Sequence, residues 1–389
     1  MKILWLDLNS SYAHSSLALP ALHAQIADDD AIEWDIVSAT INENVGMVAG
    51  EVYRRRPDLL AATVWLFNHE QLLHIISRVK ALLPQCCIVL GGPEFLGDNE
   101  FFLRSNPFVS CVFRGEGEEV FPQWITHRNN PAEWKNIPGL CYLDSHGNYI
   151  DNGIARVLDF HHLVPPEKSR FFNWSKPFVQ LETTRGCFNT CAFCVSGGEK
   201  PVRTLSIEAI RERLQIIHRH GIKNVRVLDR TFNYNTRRAK ELLELFLEFA
   251  PDIRFHLEMH PALLSEELKE ELKRLPEGLL HLEAGIQSLR EIPVCPPQHG
   301  NACRPDCRAP ALSPFGDIRG HPRIGRIWRR RNTTGVPETA SRHGNAPQGG
   351  RTGHTIFPVP TLRGAANPRN QCGRTANRAT TFAPAGWFL

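Results

Sequence analysis

No stretch of the 389 residues approaches 18 consecutive apolar positions, so the sequence offers no transmembrane helix. The amino terminus, MKILWLDLNSSYAH, has one lysine and an apolar run broken by Asp7 and Asn9. That is too short and too polar for a secretory signal, and the reading is a cytoplasmic protein with no membrane partner. Eleven cysteines in such a chain point to metal or redox chemistry before disulfides. Lysine is missing from residues 290–389, which hold 15 Arg, 13 of the 28 Pro, only three Leu and four acids, Glu291, Asp306, Asp317 and Glu338. Their net charge of +11 leaves −7 on residues 1–289, an ordinary balance that makes a nucleic-acid partner unexpected there. The last hundred residues also lack any helix or strand period of useful length. Arginine without lysine, with abundant Pro, Gly and Ala, is what an out-of-frame reading of a GC-rich gene gives, so a break in frame near Leu289 is expected. The competing reading is a disordered basic arm that contacts nucleic acid.

Before that point the chain is strongly patterned. Residues 1–126 alternate short apolar runs with helical periods, which predicts a parallel sheet wrapped by helices in a doubly wound, flavodoxin-like α/β domain. Strands are expected at Lys2–Leu8, Trp34–Val37, Leu60–Leu66, Cys87–Leu90 and Ser110–Phe113. Ligands of such sheets bind beyond the carboxyl ends of the strands. Here those ends carry Asn9–His14, Trp65–Asn68, Gly91-Gly92-Pro93 and the RGEGE sequence at 114–118. Residues 127–176, rich in Asn, Pro and His, read as a connecting segment with two short strands, Leu140–Leu143 and Tyr149–Ile150.

A second α/β series occupies 177–289. Its strands are expected at Phe178–Glu182, Val225–Leu228, Ile253–Met259 and Leu279–Ile286, with helices near Ser206–His220, Thr236–Ala250 and Ser265–Arg274. Three of these strands put polar residues on one face: Gln180 and Glu182; Arg254, His256 and Glu258; His281, Glu283, Gly285 and Gln287. An ordinary β/α barrel fills its interior with branched apolar side chains. A polar inner face implies a lumen that holds a ligand, unless the charges simply pair across the sheet.

The segment TTRGCFNTCAFC at 183–194 places Cys187, Cys191 and Cys194 at C-x3-C-x2-C spacing just after a predicted strand. Thiolates are the usual ligands of iron–sulfur clusters. Three of them within eight residues can hold three irons of a [4Fe–4S] cube and leave the fourth open to a small molecule, which a four-cysteine electron carrier cannot do. A zinc site would need a second pair, and no other C-x2-C occurs; Cys303 and Cys307 lie in the anomalous tail and Cys86 and Cys87 at a strand.

This motif after the first strand of a β/α barrel resembles the signature of radical S-adenosylmethionine (SAM) enzymes. The preceding doubly wound domain, with GGPE at 91–94 and RGEGE at 114–118, resembles the cobalamin-binding domain of the subgroup that carries one. The resemblance covers residues 1–289 and implies a domain for cobalamin over 1–126 followed by the first four strands of a radical SAM barrel over 177–289. It implies that Cys187, Cys191 and Cys194 ligate the cluster and that SAM chelates the open iron. One electron, from a donor such as flavodoxin or ferredoxin, then cleaves SAM to methionine and a 5′-deoxyadenosyl radical that attacks a small-molecule or other substrate, commonly followed by methyl transfer from cobalamin.

By the same resemblance the segments holding SAM are LDRTFN at 228–233 and EAGIQS at 283–288, making Asp229, Glu283, Gln287 and Ser288 SAM candidates; Asp229 and Asn233 could instead cap the helix near Thr236. Gly91 and Gly92 would let the backbone approach cobalamin, or else serve a tight turn. His14 is the candidate lower cobalt ligand, although the surrounding NSSYAHSS lacks the D-x-H-x-x-G pattern of many cobalamin-binding domains, and a polar loop histidine is the alternative. Two other functions compete with a radical SAM methyltransferase or rearrangement enzyme. One is a truncated, noncatalytic cluster-binding remnant, since family barrels continue to six strands. The other is a zinc-stabilised interaction protein with a basic nucleic-acid-binding tail.

Overall fold

In the computed structural model of the chain, residues 1–26, 29–191, 194, 196 and 199–285 are described. Gln287, Ser288 and the whole of the Arg-rich tail lie outside the described residues.

The first sheet has seven strands in the order β2-β1-β3-β4-β5-β6-β7. Its parallel part is β1 (Lys2–Asn9), β2 (Glu33–Thr40), β3 (Leu59–Thr63), β4 (Cys87–Gly91) and β5 (Cys111–Phe113). These strands read as nearly continuous apolar runs because both faces are covered. Leu4, Leu6 and Leu8 of β1 point to one core, with Val48 and Val52 of helix α2 (Val45–Arg55) and Leu72, Ile75, Ile76 and Val79 of α3 (His69–Leu82). Ile3 and Trp5 point to the other, with Leu19 of helix α1 (Ala18–Gln25) and Phe121, Trp124 and Ile125 of the helix Val120–His127. The order 2-1-3-4-5 is the flavodoxin-like one expected from the sequence.

The connecting segment differs from the sequence reading. Strands β6 (Leu140–Leu143) and β7 (Tyr149–Asp151) form an antiparallel hairpin that extends the first sheet beyond β5. Leu140 and Tyr142 enter one core and Cys141 the other, so this stretch is part of the first domain. Alternation over only four residues gave the strands but could not name the neighbour they would join.

The second domain is a four-stranded parallel sheet, β13-β12-β11-β8, built from β8 (Val179–Leu181), β11 (Asn224–Val227), β12 (Arg254–Met259) and β13 (Leu280–Ala284). Its apolar face packs on three helices at Ile207–Arg219, Thr236–Leu247 and Glu266–Arg274, through a core that includes Leu181, Val225, Val227, Phe255 and Leu257 against Ile210, Leu214, Leu242, Phe246 and Leu268. Ser206 and Ser265 cap the first and third of these helices through their hydroxyls, accepting from Ala209 N at 3.1 Å and Leu268 N at 3.2 Å. The second is capped by Asn235, which accepts from Arg238 N at 3.0 Å, and not by Asp229 or Asn233. Among the described residues no helix is long and apolar enough to cross a membrane.

Candidate functional site

The cysteine segment is a loop closed at its base by a two-stranded antiparallel ribbon, β9 (Thr184–Arg185) and β10 (Arg203–Thr204), in which Arg185 faces Arg203 and Thr184 faces Thr204. Gly186 enters the loop at φ +91°, and a Cβ there would lie 2.4 Å from Glu199 O, so only glycine fits the turn. The Cys187 amide donates to that same Glu199 carbonyl at 3.0 Å, and the Cys194 amide to Cys191 O at 3.1 Å. Cys187 and Cys191 are half-buried and Cys194 is exposed.

Asp229 follows β11 and is buried under this loop. Its Oδ1 accepts from Thr183 N at 3.0 Å and Thr184 N at 2.9 Å, and its Oδ2 from the Thr183 hydroxyl. Burial pushes the carboxyl up to about 6, against the pull of those hydrogen bonds. Asn233, equally buried, is locked to the end of β12, donating to His260 O at 2.9 Å and accepting from His260 N at 2.8 Å. The structure therefore uses both residues to tie the loop after β11 to its neighbours, a role that neither SAM contact nor helix capping described. Beside them, His260 packs its ring against Phe188 in a T-shaped contact, with centroids 6.4 Å apart, and its buried Nδ1 has no hydrogen-bond partner among the described residues.

The polar face of the second sheet is assembled across the strands. The register sets Gln180, Arg226, His256 and His281 side by side, with Glu258 beside Glu283. Arg226, absent from the sequence-based list, is its buried centre: it donates to Glu258 at 3.3 Å and lies 3.8 Å from Glu283. Its place on β11 could have been read from the same alternation that gave Gln180 and His256. His256 Nε2 lies 3.1 Å from Glu283, and its Nδ1 lies 2.8 Å from His281 Nδ1. Burial, the Arg226 charge and His281 push the His256 pKa down to about 4. The charges on this face thus pair with one another to a large degree. Glu283 keeps a half-exposed carboxylate, and its later companions Gln287 and Ser288 are outside the described residues.

At the carboxyl edge of the first sheet, Asn68 is buried and pins the loop after β3, accepting from Trp65 N at 2.8 Å and donating to Leu8 O at 3.0 Å and Thr63 O at 3.1 Å. It leaves Leu66 74% exposed and Phe67 partly exposed; Tyr12, on the loop after β1, is exposed too. Gly92 has φ +113°, and a Cβ there would lie 2.5 Å from Val64 O; the main chain itself demands glycine. At Gly91 a Cβ would make only ordinary contact, 3.8 Å from Phe113. His14 holds Ser11 Oγ at 2.7 Å through Nδ1 and packs its ring edge on Phe178, centroids 5.7 Å apart, at the entry to β8. Burial and then the charges of Arg226 and Lys176 lower its pKa. Both domains therefore meet at this edge, where Lys176 also donates to Tyr12 O at 2.5 Å.

Comparison with known proteins agrees with this two-part layout. Residues 6–125 match the B12 binding domain family and residues 181–308 the radical SAM superfamily. A B12 binding domain and a radical SAM domain are thus present in the chain, in that order. The radical SAM match continues past Leu289, where the periodic pattern stops. An uncharacterised methyltransferase of Pyrococcus horikoshii is 28% identical over 244 residues, covering 60% of this chain and 52% of the relative. The cobalamin-dependent radical SAM methyltransferase TokK of Streptomyces tokunonensis is 22% identical over 202 residues, covering 46% of this chain and 28% of its own. The chain thus spans about half the length, or less, of these curated relatives. Among solved structures, the cobalamin-dependent SAM radical enzyme OxsB, with aqua-cobalamin and SAM bound, superposes with a TM-score of 0.58 at 19% identity, covering 70% of this chain and 41% of OxsB. The radical SAM methyltransferase TsrM of Kitasatospora setae does so at 0.56 and 17%, covering 74% and 59%. These likenesses establish the fold: a B12-binding module followed by a radical SAM module.

Proposed function

We propose that this chain is a radical SAM enzyme that methylates or rearranges its substrate with the help of cobalamin. The observation that carries the reading is the cysteine loop: three cysteines within eight residues, on a ribbon-closed turn at the carboxyl end of β8, next to the carboxyl edge of a B12-binding sheet. When bound, the cluster and SAM supply reductive cleavage of SAM to a 5′-deoxyadenosyl radical, and cobalamin supplies a methyl carrier.

The residues present fit these groups. Cys187, Cys191 and Cys194 would hold three irons. Among the described residues, His256, Glu258 and Glu283 on the polar face are a set of donors close enough to share a single ion. His260, whose buried Nδ1 beside the cysteine loop has no partner among the described residues, is an added candidate for positioning SAM, together with Glu283 and, by resemblance, Gln287 and Ser288. Tyr12, Leu66 and Phe67 offer apolar surface against which a corrin would lie, which water alone would not favour. Gly91 and Gly92 keep side chains away from that edge. His14, engaged with Ser11 and Phe178, fits domain packing better than cobalt ligation. The paired polar face around Arg226 suits a polar or charged substrate. A reductant such as a flavodoxin or ferredoxin, and a cytoplasmic setting, complete the proposal.

The test is anaerobic reconstitution of the full chain with iron, sulfide and hydroxocobalamin, followed by EPR and an assay for 5′-deoxyadenosine. A [4Fe–4S] signal that changes on adding SAM, lost in each single Cys→Ala variant, is the expected result. Zinc without labile sulfide, or a cluster signal indifferent to SAM, would refute it. A SAM-responsive cluster without turnover would mark a noncatalytic cluster-binding remnant.

A further inference from the structure

The two arginines that face each other across the base of the cysteine ribbon both end on carboxylates of the first domain. Arg203 donates to Glu116 from its two terminal nitrogens, at 2.8 and 2.6 Å, and also to Val157 O. Arg185 donates to Glu118 at 2.6 Å, to Glu182 at 2.9 Å, and lies 3.4 Å from Glu116. The Val157 amide donates to Glu116 at 2.8 Å. Arg156 extends the network, 3.6 Å from Glu116 and 3.2 Å from Glu199, the residue whose carbonyl holds the Cys187 amide. None of Glu116, Glu118, Arg185 and Arg203 has a side chain more than 15% exposed. Gly115 makes the approach possible: at φ +107° it pairs with Ala155, and a Cβ there would lie 2.2 Å from Ala155 O. The RGEGE sequence, which the sequence placed at a ligand-facing edge, is instead turned onto the cysteine loop.

We propose that Glu116 and Glu118 are positioning residues for the iron–sulfur cluster: from the B12-binding domain they fix the base of the cysteine ribbon and neutralise two guanidiniums beside the cluster ligands. The inference rests on the cluster assignment above. Two consequences follow from elementary electrostatics. Removing the Glu116 charge frees Arg203 and part of Arg185, and added positive charge near a cluster favours its more negative, reduced form, raising the reduction potential. It also loosens the ribbon, so the cluster is lost more readily.

The experiment uses the full chain, reconstituted anaerobically with hydroxocobalamin, as wild type, Glu116→Gln and Glu119→Gln. Glu119 makes the same charge change one segment on, where its partner is the exposed His162 at 3.0 Å. Iron release to a chelator is expected to be about tenfold faster in Glu116→Gln, the factor that goes with one lost charge-assisted hydrogen bond. Its EPR-monitored potential is expected to rise, and Glu116→Asp to return it toward wild type. Glu119→Gln should change neither, and all variants should bind hydroxocobalamin alike. Should Glu116→Gln be insoluble, Arg203→Lys keeps the charge but loses the two-pronged bond, and predicts faster iron release with an unmoved potential. Wild-type release and potential in Glu116→Gln would overturn the positioning role. A wild-type protein that takes up no iron and sulfide at all would instead overturn the cluster assignment, and the two failures are told apart by that first measurement.

Discussion

Replacing Asp229 by alanine strips the cysteine loop of the acceptor beneath it. Three donors lose their partner: the amides of Thr183 and Thr184, at 3.0 and 2.9 Å, and the Thr183 hydroxyl. A buried donor left without an acceptor costs about 1–3 kcal/mol. Water entering the space vacated by the carboxylate would recover part of this, so the lower end for two amides, about 2 kcal/mol, is the expected loss. At about 1.4 kcal/mol per factor of ten, local opening becomes about thirtyfold more frequent. Hydrogen exchange of a peptide spanning Thr183 and Thr184 should accelerate by that factor, while peptides from β1 keep wild-type protection. The pH dependence adds a second reading. The folded carboxyl keeps its proton up to about 6, above its ordinary 3.8, because burial outweighs the hydrogen bonds. Its contribution to stability is complete below the ordinary value and is lost as pH rises through about 6, up to about 3 kcal/mol at about 1.4 kcal/mol for each pH unit. Wild type should therefore lose ground to Asp229→Asn between those two pH values. Unchanged exchange at Thr183–Thr184 in the alanine variant would refute the account of Asp229 as the anchor of the loop.

Gly115→Ala should lower the melting temperature by several degrees, since φ +107° and a Cβ 2.2 Å from Ala155 O together cost about 1–3 kcal/mol; a calorimetric scan checks it. Arg226→Gln removes a cation that, after burial, depresses His256, so the His256 pKa should climb from about 4 toward its ordinary 6.5 in an NMR titration. The stability this histidine contributes as a neutral ring is present above pH 6.5 and lost as pH falls toward about 4, so the variant should be less sensitive to acid over that window. His260→Phe keeps the ring packing on Phe188 but removes Nδ1, and should weaken SAM binding by about tenfold in equilibrium dialysis, the worth of one hydrogen bond.

The amino-acid sequence by itself determined what depends on local order along the chain. Alternating apolar runs and helical periods set out the parallel strands and their helices, because whether a strand is buried on one face or two is written in its own residues. The spacing of Cys187, Cys191 and Cys194, with Gly186 before them, likewise put the proposal of an open iron–sulfur site into a single short segment. Only the tertiary structure decided which distant segments meet. Glu116 reaches Arg203 across 87 residues, Asp229 reaches Thr183 across 46, and the hairpin Leu140–Asp151 joins the first sheet and not the linker. A carboxylate carries no local sign of which donor will face it. Its partner is fixed by the crossover connections that bring strand ends together, and so the contacts of Glu116 and Asp229 with the base of the cysteine loop had no local sign in the sequence.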